Sequence, residues 1–268
     1  ILPAKDPESS VNHANLSETC NSCHFGIADE LNASVHSKSL SQTDKKQPAC
    51  SDCHKSHEIS RHDDDRFRLN MANQCGDCHQ EEMNSYFDTF HGKASLLGES
   101  STAKCSDCHS AHSVLPASNI KSTLHPTNVE QTCKMCHEGA NFSFTEYLSH
   151  ATHHDKEKYP MLYYTFWGMT GLLIGTFLFF GLHTLLWLIR SLIDIPRERE
   201  RAIERQKVAD AGEKYIRRFR KSHTVLHLMV IVSFLTLALT GMTLKFPQNA
   251  FFSSISWALG GPIVTGYI

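Results

Sequence analysis

The chain has 268 residues and a formal net charge of -2, long enough for two units, and its 41% hydrophobic residues are unevenly shared between a polar first part and an apolar second. Near-neutrality without a basic stripe interleaved with aromatics excludes nucleic acid as a partner. The opening residues, Ile1-Leu2-Pro3-Ala4-Lys5, contain no signal peptide and are expected to be a mature terminus after cleavage.

Residues 1–159 hold all ten cysteines, and every one falls in a Cys-x-x-Cys-His unit. The units are Cys20/Cys23/His24, Cys50/Cys53/His54, Cys75/Cys78/His79, Cys105/Cys108/His109 and Cys133/Cys136/His137. Two thiols three residues apart can bond to the two vinyl groups on one porphyrin edge, and the next residue, His, reaches the iron. Cys-x-x-Cys also suits tetrahedral zinc, but a zinc site does not need a His directly after the second Cys, and here that His recurs in every unit. Disulfides explain the following His no better. The expectation is five covalently attached haem c groups. Their attachment outside the cytoplasm puts this domain in a periplasm-like compartment.

The motifs repeat at an offset of 55 residues, which relates Cys20 to Cys75 and Cys50 to Cys105. His36 follows His24 by twelve residues, His91 follows His79 by twelve, and His150 follows His137 by thirteen. His57 and His112 each lie three residues after the motif histidines His54 and His109. These five, His36, His57, His91, His112 and His150, are expected to be second axial ligands. Imidazole on both faces changes geometry little between oxidation states and so passes electrons readily. His57 and His112 lie too close in sequence to their own motif histidines to wrap one porphyrin, so each is expected to serve a neighbouring haem. His125 and His13 are the substitutes, whereas His62, His153 and His154 have no repeat partner and read as solvent-exposed.

About 32 residues per haem cannot build an ordinary side-chain core, so the porphyrins must supply most of the buried apolar surface. A wrap of short helices and loops follows. Glu81 to Phe87 reads as helix, while Pro48, Pro116 and Pro126 interrupt the pattern.

From Tyr159 to Ile189 the chain is free of Asp, Glu, Lys and Arg, and at about 1.5 Å per residue it exceeds a bilayer core of about 30 Å. Residues 160–190 therefore read as a first transmembrane helix. Arg190 to Lys221 then carries eleven Lys or Arg against six Asp or Glu, a positive-inside signal that places residues 191–222 in the cytoplasm. Within that stretch, Pro196 to Gly212 reads as a solvated, charge-laced helix. A second apolar helix, residues 223–246, returns outward, and 247–268 reads as the start of a further membrane segment of a longer protein. His183, His223 and His227 lie in or beside these helices, where an imidazole is costly without a partner. Ligation of haem b by His183 and His227 is the functional reading. A hydrogen bond to a neighbouring helix is the simpler one.

Residues 217 to 246 resemble the first haem-binding helix of the cytochrome b561 and formate dehydrogenase gamma-subunit superfamily, through an Arg-rich entry, His227 and Gly241 fourteen residues later. The repeated Cys-x-x-Cys-His units, with His-Gly-Lys-Ala after Phe90 and the Cys-His-x-x-His pattern, are similar to multihaem cytochromes of metal-respiring bacteria. Their fusion resembles inner-membrane menaquinol-oxidising cytochromes. The resemblance implies a mainly α protein with extensive loop: a pentahaem domain facing the periplasm, then b-type transmembrane helices in the bacterial inner membrane. It further implies one or more haem b, a membrane quinone as substrate, and quinol:cytochrome c-type oxidoreductase activity. The expected partners are membrane lipid, quinol, periplasmic c-type cytochromes and further membrane subunits. The alternatives are a relay or anchor subunit of a larger respiratory complex, and a multihaem reductase of a small oxyanion or nitrogen compound.

Overall fold

The computed structural model describes residues 2–41, 45–210 and 219–267, and the described residues are mainly helical with no strand. The chain divides into two units, one formed by residues 1–150 with 239–268 and the other by residues 151–238.

In the first unit the helices are short and follow the motifs. They are α1 (Leu16–Asn32), α2 (Cys50–His54), α3 (Asp65–Gly76), α4 (Gln80–Asp88), α5 (Phe90–Leu96), α6 (Cys105–His109), α7 (Val129–Lys134) and α8 (Phe142–Thr145). Chain neighbours pack on one another, α1 on α2, α2 on α3 and α6 on α7, and α3 also packs on α6, three helices further on. Local chemistry explains their boundaries. The Asp64 carboxylate accepts the backbone N–H of Arg66 at 2.9 Å and starts α3, and the Thr89 hydroxyl accepts that of Gly92 at 3.2 Å and starts α5. Gly92 sits so close to the preceding turn that a Cβ there would lie 2.1 Å from the Tyr86 carbonyl oxygen, so α5 can follow α4 this tightly only with glycine after His91.

The 55-residue repeat is visible in the backbone. In α2 and α6, each Cys-Ser-Asp-Cys-His, the carboxylates of Asp52 and Asp107 accept the N–H of Ala49 and Lys104, both at 2.8 Å. Each helix ends in a left-handed residue, Lys55 at φ 49° and Ser110 at φ 67°. His24 and His79 share a non-helical backbone, φ -111° and -110°, that breaks the helix at the motif histidine.

A second repeat, offset by 113 residues, relates the approach to the first motif to the approach to the fifth. Turns every three residues lead from Pro3 to Asn15 and again from Pro116 to Asn128. The Asn15 amide donates to the carbonyls of Pro7 and Ser9, as that of Asn128 does to those of Ile120 and Ser122.

Very little apolar side chain is buried. Among the described residues the buried apolar positions are Ala49, Ala72, Tyr86, Ala94, Leu97 and Ala140, mostly too small to hold a domain of this length together. Lys104 is a conspicuous buried polar group, 1% exposed, with Nζ donating to Ser95 Oγ at 2.9 Å, the Glu99 carbonyl at 3.0 Å and Thr102 Oγ1 at 2.7 Å. Burial first, and the Arg68 guanidinium second, push its ammonium down to about 8. Lys104→Ala removes three hydrogen bonds and leaves a void, and is expected to cost about 3 kcal/mol of stability, read as a fall in the denaturation midpoint. The same change at exposed Lys121 should leave the midpoint in place.

The second unit is built on two long helices. In α9 (Pro160–Asp210) the apolar run continues without interruption into the charged stretch, where Arg190 and Arg197 pair with Asp194 at 3.7 and 3.5 Å and Arg201 pairs with Glu198 at 2.8 Å. The charged stretch is therefore helical through Asp210, while residues 211–218 lie outside the described residues. In α10 (Lys221–Lys245) large apolar side chains such as Leu226, Met229, Phe234 and Leu237 are exposed around the helix. Both helices are long and apolar enough to cross a membrane. The end of α10 belongs to the first unit, and so do the elements after it: α11 (Ala250–Ala258), left-handed Gly260 and Gly261, and α12 (Pro262–Tyr267).

Candidate functional site

All five motifs lie on or beside helices that set their two thiols one turn apart. Cys50/Cys53 and Cys105/Cys108 occupy α2 and α6, and Cys20 and Cys23 lie in α1. Cys75 and Cys133 lie in α3 and α7, with Cys78 and Cys136 just beyond them. Among the described residues all ten cysteines are free thiols. Thiols of successive motifs adjoin: those of Cys20 and Cys50 are hydrogen-bonded, as are those of Cys75 and Cys105, while Cys53 lies near Cys78 and Cys108 near Cys133. The hydrogen bond to Cys105, with burial behind it, pushes the Cys75 thiol up, and burial pushes Cys108 up to about 11.

Four motif histidines each face a second histidine across nearly the same gap. The ring centroids are 6.3 Å apart for His79 and His36, 6.1 Å for His54 and His112, 6.0 Å for His137 and His91, and 6.1 Å for His109 and His150. Two metal–imidazole bonds of about 2 Å on opposite sides of one ion, with half a ring at each end, span about this distance. In each pair one imidazole is held below the ordinary range, chiefly by burial and next by its partner: His36 by His79, His54 by His112, His91 by His137 and His109 by His150. Neutral imidazole is the ligating form.

All four pairs cross between motifs. His36, which follows the first motif, faces the third; His91, after the third, faces the fifth; His150, after the fifth, faces the fourth; and His112, after the fourth, faces the second.

The first motif differs from the other four in the pairing of its histidine. Cys23, expected to be a haem-attachment thiol, is exposed, and the hydroxyl of its chain neighbour Ser22 donates to its Sγ at 3.9 Å. His24 beside it is exposed as well, and so is His57, the expected second ligand of a neighbouring haem; neither is brought into a histidine pair among the described residues. Cys53, Cys78 and Cys136 are exposed too, as are the paired His79 and His137, so the missing histidine partner and not exposure distinguishes the first motif.

The two substitutes are engaged elsewhere, His13 with the Asp52 carboxylate at 2.7 Å and His125 with the Thr127 hydroxyl at 2.8 Å. Exposed His62 stands apart from the paired rings, whereas His153 packs against His154 at 3.9 Å and against Phe166 at 3.8 Å. His183 lies on α9, His223 and His227 lie on α10, and all three are exposed.

Two further residues reach the paired histidines. Ser85 Oγ lies 2.9 Å from His150 Nδ1, and Glu30 Oε2 lies 3.9 Å from His112 Nδ1. Sequence reasoning passed over both, although the signal is present: each lies six residues after a motif histidine, and the 55-residue offset relates them. No family model, curated protein or solved structure matches the chain.

Proposed function

We propose that the chain is a membrane-bound electron-transfer cytochrome that oxidises a membrane quinol and passes the electrons, through haem b and five c-type haems, to a periplasmic c-type cytochrome. The observation that carries this reading is the set of four histidine pairs at 6.0 to 6.3 Å, each including the histidine of a Cys-x-x-Cys-His unit. Haem, when bound, supplies reversible one-electron chemistry. The chain's residues bind and orient. Two cysteines per motif would anchor each haem, the motif histidine would ligate its iron, and in the four paired motifs the crossed histidine would be the second ligand. The scarcity of buried apolar side chains supports the same reading, since porphyrins held by these histidines would supply the missing surface.

Arg190 and the cationic residues after it argue that the charged end of α9 is cytoplasmic, and hence that the motif domain faces the periplasm across a bacterial inner membrane. His183 and His227, on helices fit to cross that membrane, would hold haem b.

Acid–acetone extraction of the purified full chain tests the central claim. Five haems are expected to stay on the polypeptide by pyridine haemochrome while any haem b is removed. Stoichiometric zinc with no covalent haem would overturn the reading.

A further inference from the structure

Positions 30 and 85 are repeat-equivalent, and each stands at Nδ1 of the crossed histidine serving the second or the fourth motif. At 85 the side chain is a neutral hydroxyl. Ser85 is 5% exposed, and its Oγ donates to the Glu82 carbonyl at 2.9 Å, so the contact with His150 is one in which Oγ accepts Nδ1–H. That tautomer leaves Nε2 without a proton, on a ring whose centroid is 6.1 Å from that of His109. At 30 the side chain is a carboxylate, 54% exposed, 3.9 Å from His112. It is too distant for a hydrogen bond and, being exposed, is partly screened, but it carries a full charge.

From this we infer that Ser85 and Glu30 are positioning residues that set two iron potentials apart, with the His54/His112 site lower than the His109/His150 site. The inference rests on the haem reading above. An acceptor at Nδ1 makes the imidazole a stronger donor and favours the oxidised iron, and an anion does so more than a hydroxyl.

The test is a spectroelectrochemical titration of the detergent-solubilised full chain, with electron paramagnetic resonance on the same samples. Ser85→Ala is expected to raise one of five potentials and change one set of g values, and Ser85→Thr to restore both. Glu30→Gln should raise a different potential, by an amount that shrinks in high salt. Unchanged potentials and g values in Ser85→Ala, with five haems retained, would overturn the inference while leaving the haem reading intact. If Ser85→Ala sheds haem, Ser85→Val and Ser85→Thr decide: retention in Thr alone supports the hydroxyl's role, and equal loss in both reduces Ser85 to packing and overturns it. Absence of covalent haem from the unaltered chain would defeat the underlying reading instead.

Discussion

His91→Ala is expected to leave five covalent haems on the protein and turn one of them high-spin and able to bind carbon monoxide. The affected haem is expected to be that of Cys133, Cys136 and His137, not that of the motif His91 follows in sequence, because the His91 ring stands 6.0 Å from His137. Alanine removes one of two axial imidazoles, whereas both thioether anchors stay. Optical and electron paramagnetic resonance spectra measure the outcome. The assignment to the fifth motif is checked in a chain that also carries Cys133→Ala and Cys136→Ala, where His91→Ala should add no further high-spin signal. His36→Ala should act in the same way on the third motif, whose His79 it faces at 6.3 Å. Fully low-spin spectra in both single variants would show that other histidines, His125 or His13, fill those positions.

Quinol-driven reduction of the five c-type haems is expected to be abolished by His227→Ala, while dithionite still reduces them. His227 lies six residues into α10, on a helix whose apolar side chains are exposed all round, so an imidazole there is costly unless a cofactor or neighbour takes it up. If it holds haem b, electrons from the quinol need that group to cross the low-dielectric core. Dithionite in water reaches the external motifs directly, so the two reductants separate entry from storage. Rapid-mixing spectroscopy with a quinol analogue reads both arms. Normal quinol reduction in the variant would mean that His227 packs against a neighbouring helix, or that quinol reacts at the outer face and α9 and α10 serve chiefly as anchors.

Much of this protein was legible along the chain, because the features concerned are local. The five Cys-x-x-Cys-His units depend only on adjacent residues, and the helix over Glu81 to Phe87 falls inside α4. The apolar runs predicted α9 and α10 because a bilayer's thickness sets a length that can be counted in residues. The repeat was half visible: the 55-residue offset stood out in the cysteines, whereas the 113-residue one rests on spaced turn residues, Pro3 and Pro116, Ser9 and Ser122, Asn15 and Asn128. Which histidine meets which motif was beyond sequence. The motif of Cys20, Cys23 and His24 reads like the other four, yet among the described residues its histidine is not brought against a second histidine, a difference made by packing and not by the motif itself. His36 is nearer in the chain to His24 than to His79, and only the packing of α1, α2, α3 and α6 on one another carries it to the third motif. Ser85 and Glu30 gained their partners in the same way: the chain sets each six residues from a motif histidine, but contact with His150 and His112 closes loops of 65 and 82 residues, and sequence spacing does not encode closures that long.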